Sequence, residues 1–314
     1  MVAVLNTLAP VFLLIALGAI LRRARLLSGE ALGGMGWLVF WIALPALLFR
    51  EIASARRFGF EQASIFVILL AGMAACILAG YGLARVLRIP RPKVGTFVQA
   101  AYRGNLAYIG LPVVLYAFTS VAGEAAGRTA QQDATVALAP LIPLYNVTAV
   151  IVLLAGQHKL SAAALRRMGW QILINPLILS CVAGLAWAIA GLRLPMAIDN
   201  TLRILGQVAG PLALLSVGAA IATTRISGEV LYTSVAVALK VLIAPLVGYA
   251  VAMLLGAPAR QTFIALLLLA CPTAVAAYIM AEQMHGDSPL AAQTVVISTL
   301  ASIAAFAVII LMMS

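Results

Sequence analysis

Apolar residues in this chain come in long runs, not in the alternation of a strand or the stripe of a surface helix. Residues 65–79 are apolar on every face, and so are residues 235–255 apart from Lys240. A run of this kind is a helix in lipid, because about 20 residues at 1.5 Å each cross the hydrocarbon. Strands of an outer-membrane barrel alternate instead. Charged residues, Gly and Pro punctuate the runs and predict ten spans, at residues 4–21, 36–50, 63–87, 96–118, 134–155, 171–191, 200–223, 230–255, 260–284 and 290–312. Connections are short, so no soluble domain is expected. The fold class is an all-α polytopic membrane protein.

Composition narrows the function classes. Of 314 residues, 64% are hydrophobic and 9% charged, and the mean hydropathy is +1.12, which excludes a soluble domain, a disordered chain and a disulfide scaffold. Cys76, Cys181 and Cys271 lie inside apolar stretches, and His158 and His285 have no second ligand at metal spacing; no metal and no cofactor is expected. The net charge of +11 does not indicate nucleic acid, since the cations sit in short loops and not in a solvated patch with aromatics. Twelve cations fall on one side (Arg22, Arg23, Arg25, Arg85, Arg88, Arg91, Lys93, Arg103, Lys159, Arg166, Arg167, Arg225) and seven on the other (Arg50, Arg56, Arg57, Arg128, Arg193, Arg203, Arg260). The positive-inside rule makes the richer side cytoplasmic and puts both termini outside, in a cytoplasmic (inner) membrane. The first run has its arginines after it, not before it, and is read as a retained span.

Displacing the sequence by 166 residues sets Pro10 on Pro176, Gly18 on Gly184, Pro45 on Pro211 and Pro92 on Pro258. This indicates a duplicated unit. Five spans per unit is an odd number, so the second copy enters from the opposite side: two inverted five-helix repeats, residues 1–155 and 156–314. Two spans at similar places in the halves contain helix breakers. The fourth has Gly110 and Pro112, the ninth Ala270-Cys271-Pro272-Thr273. Proline removes a backbone bond and clashes with the carbonyl a turn earlier. Freed amides and carbonyls inside a membrane need partners away from lipid, and an anion satisfies the amides at a half-helix N-terminus. Broken helices four and nine are therefore expected to form a transport site.

Lys240 stands about ten residues into the eighth span, a costly place for a charge. It either attracts an anion or neutralises the carbonyl ends of the broken helices as a bound cation would; snorkelling or a structural pairing is the bland alternative. All nine acids, Glu51, Glu282 and Asp287 among them, fall at span ends or in loops, so no acidic proton relay or sodium cage is visible and coupling to proton or sodium stays open. Asn146, Thr273, Gln293 and Ser298 are polar groups within spans, able to bind a carboxylate or simply to bond between helices.

The string Arg103-Gly-Asn-Leu-Ala-Tyr-Ile-Gly-Leu-Pro112 resembles the fourth-span signature of the auxin efflux carrier family. Agreeing pieces are Ala43-Leu-Pro-Ala-Leu-Leu-Phe49, Tyr145-Asn-Val147, Asn175-Pro176 and Pro211-Leu-Ala-Leu-Leu-Ser-Val-Gly218. The resemblance implies a ten-helix carrier of organic anions with two crossing broken helices, related in fold to bile-acid and sodium/proton carriers. By it, Asn105, five residues before Gly110, helps bind the substrate carboxylate, and malate or malonate is a candidate substrate beside auxin-like acids. It also implies a transport core of spans 3–5 and 8–10 moving against a scaffold of spans 1, 2, 6 and 7, and a possible homodimer through that scaffold. The site expected is Asn105, Gly110, Pro112, Asn146, Lys240, Cys271, Pro272 and Thr273. Three other readings stay open: a sodium-coupled bile acid-type symporter, a channel or sensor, and an intramembrane enzyme, for which no nucleophile with a base stands at membrane depth.

Overall fold

A computed structural model describes residues 2–54, 62–157, 166, 170, 172–223 and 230–313. Arg56, Arg57, His158, Lys159, Arg167 and Arg225, counted above, lie outside the described residues. Those described form helices, joined by short turns and one isolated antiparallel bridge. In chain order the helices are α1 (Val2–Arg23), α2 (Gly29–Ala53), α3 (Ala63–Val86), α4 (Arg91–Tyr102), α5 (Leu111–Ala122), α6 (Glu124–Gln157), α7 (Pro176–Ile189), α8 (Met196–Thr223), α9 (Val230–Leu254), α10 (Ala259–Leu269), α11 (Val275–Gln283) and α12 (Ser288–Met313). Six of them, α2, α3, α6, α8, α9 and α12, are long and apolar enough to cross a membrane, and α5, α7 and α10 are shorter apolar helices.

Three widened, π-helical turns precede prolines. Val39–Ala43 leads to Pro45, Leu106–Gly110 to Pro112 and Leu239–Ile243 to Pro245. A proline ring collides with the carbonyl four residues back, and inserting one residue into the turn moves that carbonyl aside. The helix α6 starts at Glu124, ten residues before the expected span. Its polar first turns hold together through a Glu124–Arg128 pair one turn apart, so a stretch read as loop is helix.

The packing falls into two groups. α1 lies along α8, and α2 packs on α7 and α8. Small residues set the spacing: a Cβ on Gly18 would stand 2.1 Å from the Leu215 carbonyl oxygen, and one on Gly184 3.0 Å from that of Phe49. The second group comprises α3, α4, α5, α6, α9, α10, α11 and α12, with α3 between α4, α9 and α10. Here Gly72 and Gly248 both close on Leu269. Close approach through small residues is how helices associate where lipid removes the hydrophobic drive between them.

Candidate functional site

The fourth span leaves helical geometry at Arg103, whose backbone is extended (φ −77°, ψ 98°), and resumes at Leu106. The ninth leaves it at residues 270–274. The interruption in span four thus falls at Gly104, six residues before Gly110 and eight before Pro112, where it was expected. Gly110 belongs to the π turn and Pro112 to the helix that continues from it without a break; the widened turn makes room for the proline ring. Gly and Asn are weaker helix formers than the residues around them, which places the break at 104–105.

The two unwound stretches satisfy each other. Asn105 donates its N–H to the Pro272 carbonyl at 2.8 Å, Ala274 donates to the Arg103 carbonyl at 2.8 Å, and Gly104 faces Thr273 as an antiparallel bridge. Two strand-like bonds replace helical ones that neither segment can make alone.

Four helix ends surround this bridge, and the chain treats them unequally. The carbonyl ends of α4 and α10 are closed by protein donors. Thr273 Oγ1 donates to the Ala100 carbonyl at 2.8 Å, Cys271 Sγ to that of Leu267 at 3.3 Å, and Lys240 Nζ to that of Leu269. Ser298 Oγ accepts the Thr273 N–H at 2.9 Å. The amide ends, at Leu106 and at Val275, have no side-chain cap: the Asn105 amide bonds none of the N–H groups of the turn that follows it, and Ala274 has no polar side chain to do so. Elsewhere Ser28, Asn175 and Asp287 do cap the helices they precede, at 3.1, 3.0 and 2.9 Å. An Asn at the N-cap position normally spends its side chain on those amides; Asn105 does not.

Asn105, which precedes the fourth-span half-helix, and Ala274, Val275 and Ala276, at the start of α11, line one half-open cavity of about 420 Å³. Asn105, Pro112, Ala274, Val275 and Ala276 form one wall, and Pro10, Leu14, Leu44, Pro211 and Leu214 of α1, α2 and α8 the other. No charged side chain lines it. The first amides of a helix carry the positive end of its dipole and lack intrahelical acceptors, so this cavity sets the start of α11 and the Asn105 amide in a shell that is otherwise apolar apart from Tyr116.

Of the eight expected site residues, Asn105 and Pro112 reach this cavity. Cys271, Pro272 and Thr273 form the far strand of the crossing. Gly110 lies behind it, where a Cβ would stand 2.8 Å from Leu268 and 3.0 Å from Cys271. Lys240 is on the carbonyl side, and Asn146 accepts from Arg103 Nη2 at 2.6 Å. Arg103 itself was placed above among loop cations. It is buried, at 5% exposure, and donates to Asn146 and to the sulfur of Met280, so it drops out of the count that sets orientation. The signal was available: Arg103 stands inside the apolar limits of span four. The amides of residues 275 and 276 carry no sequence signature, because any side chain supplies the same N–H.

A second, polar cleft of about 480 Å³ descends from the C-terminal end of α2. Exposed Glu51, Gln132 and Thr135 stand at its rim, and it reaches Ala107 and Leu111, just past the break. Among the described residues no three His, Cys, Asp or Glu side chains assemble as metal ligands.

A protein of Rhizobium meliloti (strain 1021) named "Putative malonate transporter" is 28% identical over 313 residues, covering 97% of this chain and 94% of that protein. The family described as "Membrane transport protein" matches residues 3–159 and again 124–310. Apolar helices of membrane-crossing length, a crossing of two broken helices and matches that together run almost end to end place the chain in one group: it belongs to the Membrane transport protein family, the auxin efflux carrier-like carriers that its fourth span resembles, and is an integral multi-pass membrane protein.

Proposed function

We propose that this protein is a secondary carrier of small organic anions, carboxylates in the range from malonate and malate to an auxin-like acid, and that it works by an elevator-type movement. One observation carries the reading: the N-terminus of α11, which no side chain caps, lines the same cavity as Asn105, whose amide caps nothing. A carboxylate there accepts from the Asn105 amide and from the first amides of α11, with its carbon skeleton against Leu14 and Leu214. The name of the Rhizobium relative supports a carboxylate.

In this reading the chain is ten crossings in two inverted repeats. Supporting this, the Gly18–Leu215 contact and the Gly184–Phe49 contact are related by the same 166-residue displacement that superposes the prolines. That displacement exchanges α1 with α7 and α2 with α8, as an inverted pair requires. Scaffold (α1, α2, α7, α8) and core (the remainder) then move against each other. Ion pairs that stay within one group favour this: Arg50–Asp199 at 2.8 Å ties α2 to α8, while Lys93–Asp287 at 3.0 Å and Arg260–Asp133 belong to the core. With both termini outside, the polar cleft faces outward. Self-association through the scaffold belongs to the same reading and is tested by mass measurement in detergent.

The test is uptake and counterflow of labelled malonate, malate and indole acetate in proteoliposomes of the inner-membrane type. Saturable uptake with counterflow supports a carrier, linear flux without exchange a channel, and no carboxylate flux or binding at all sinks the reading.

A second expectation concerns the contact that closes the opposite end. A Cβ on Gly36 of α2 would stand 2.8 Å from Glu282 Oε2 and 3.0 Å from Gln283 Nε2 of α11. Gly36→Ala needs only a small swing of two flexible side chains and should transport normally. Gly36→Trp wedges scaffold from core, and overlap costing about 3 kcal/mol shifts the two-state balance about a hundredfold. Flux should fall at least about tenfold while malonate binding, read by thermal shift, stays within about threefold.

A further inference from the structure

We infer that the Lys240 ammonium is a built-in counter-cation of the crossing: it holds the place that a monovalent cation would otherwise take at the carbonyl ends of the broken helices, and its removal makes the protein dependent on such a cation. The inference rests on the crossing being a carrier site, and its test includes a readout that does not.

Lys240 is 1% exposed in the π turn Leu239–Ile243 of α9, a widened turn that aims it inward. Its ammonium donates to the carbonyl of Leu269, the last residue of α10. The same group lies against Gly104: a Cβ there would stand 3.1 Å from Lys240 Cε and 3.3 Å from Nζ. Gly104 is the residue at which α4 has just ended, so the ammonium sits between the carbonyl ends of both half-helices, and the absence of a side chain at 104 is what admits it.

No carboxylate accompanies it among the ion pairs of the described residues. Its counter-charge is the backbone. A helix C-terminus carries about half a negative charge in its unpaired carbonyls, and two of them compensate one ammonium. In discontinuous membrane helices such carbonyl ends coordinate small cations. Here two neighbouring carbonyls are taken by neutral donors, Ala100 by Thr273 and Leu267 by Cys271, and the one charged donor is covalently tethered. Lys240 is thus a positioning residue: it acts on the substrate through the crossing, on the opposite side from the amide ends that face the cavity.

The experiment compares the native chain with Lys240→Ala and Lys240→Met in proteoliposomes, with choline as the only bulk cation and then with sodium or ethylammonium added. Malonate flux of the native chain should change less than about twofold between these media. Lys240→Ala should lose at least about tenfold in choline and regain at least about a third of native flux in ethylammonium or sodium, which enter the vacated volume. Lys240→Met fills that volume without charge and should stay inactive in every medium. Independently of substrate, ethylammonium or sodium should raise the melting temperature of Lys240→Ala in detergent and leave that of the native chain unchanged. Normal flux of Lys240→Ala in choline would overturn the inference. So would a folded Lys240→Ala that neither cation restores or stabilises. If the native chain moves no carboxylate, the function reading fails, while the melting-temperature comparison still decides the role of Lys240.

Discussion

Replacing Asn105 by Ala should weaken carboxylate binding about 10- to 100-fold and leave the protein folded. The size follows from the bond removed: a hydrogen bond to a charged partner contributes about 1.5–3 kcal/mol. Folding survives because the structural work of residue 105 is done by its backbone. Its N–H bonds Pro272, and its carbonyl accepts from Ile109 and Gly110 at 3.2 and 3.0 Å, while its side chain caps nothing. Asn105→Asp is the harsher change. It keeps the size, but sets a negative charge against the incoming carboxylate in a cavity with no charged lining residue to compensate it, and should abolish uptake. An aspartate is also a good N-cap and can turn back onto the amides it precedes, taking the very donors the anion needs. Thermal-shift titration with malonate together with counterflow measures both variants. Equal affinity in native and Asn105→Ala protein would remove Asn105 from the site.

Much of this arrangement was legible in the sequence, and the reasons differ from element to element. Most helix positions followed from apolar runs, since lipid demands a largely apolar circumference. Residues 63–87 were expected as a span and Ala63–Val86 is the helix. Proline is not the breaking residue of the fourth span: the ring of Pro112 is absorbed by the π turn before it, and the helix breaks at Gly104. In the ninth span Pro272 lies within the interruption itself. Arg103 was misjudged because a charge in a membrane chain reads as a loop marker, whereas an amide oxygen and a thioether receive it. The scaffold wall of the cavity, Pro10, Leu14 and Leu214, has no chemical signature at all; only the packing of α1 and α8 brings it opposite the break.

That packing gives the largest effect on folding. A Cβ on Gly218 would stand 1.9 Å from the Ile15 carbonyl oxygen, closer than the 2.1 Å of Gly18 to Leu215 and far closer than the 3.0 Å of Gly184 to Phe49. Backbone oxygen cannot swing aside as a side-chain end can, so relief requires α1 and α8 to separate along their length. Gly218→Leu should therefore prevent assembly of the scaffold, at a cost above the roughly 3 kcal/mol usual for overpacking, and yield no monodisperse peak on size exclusion. Gly18→Leu should behave nearly as badly. Gly184→Leu, whose added Cβ meets the Phe49 oxygen and the Ile52 Cβ at 3.0 Å and has only a few tenths of an ångström to recover, should fold with a lowered melting temperature. Gly33→Leu, which has nothing within 4 Å, is the control and should leave the melting temperature unchanged. The order matters more than any single value. Gly18 and Gly184 are related by the 166-residue displacement, yet an added Cβ would stand 2.1 Å from backbone oxygen at the first and 3.0 Å at the second, so the α1–α8 crossing is the tighter of the two. A Gly184→Leu variant as damaging as Gly218→Leu would show that the two crossings are equally close.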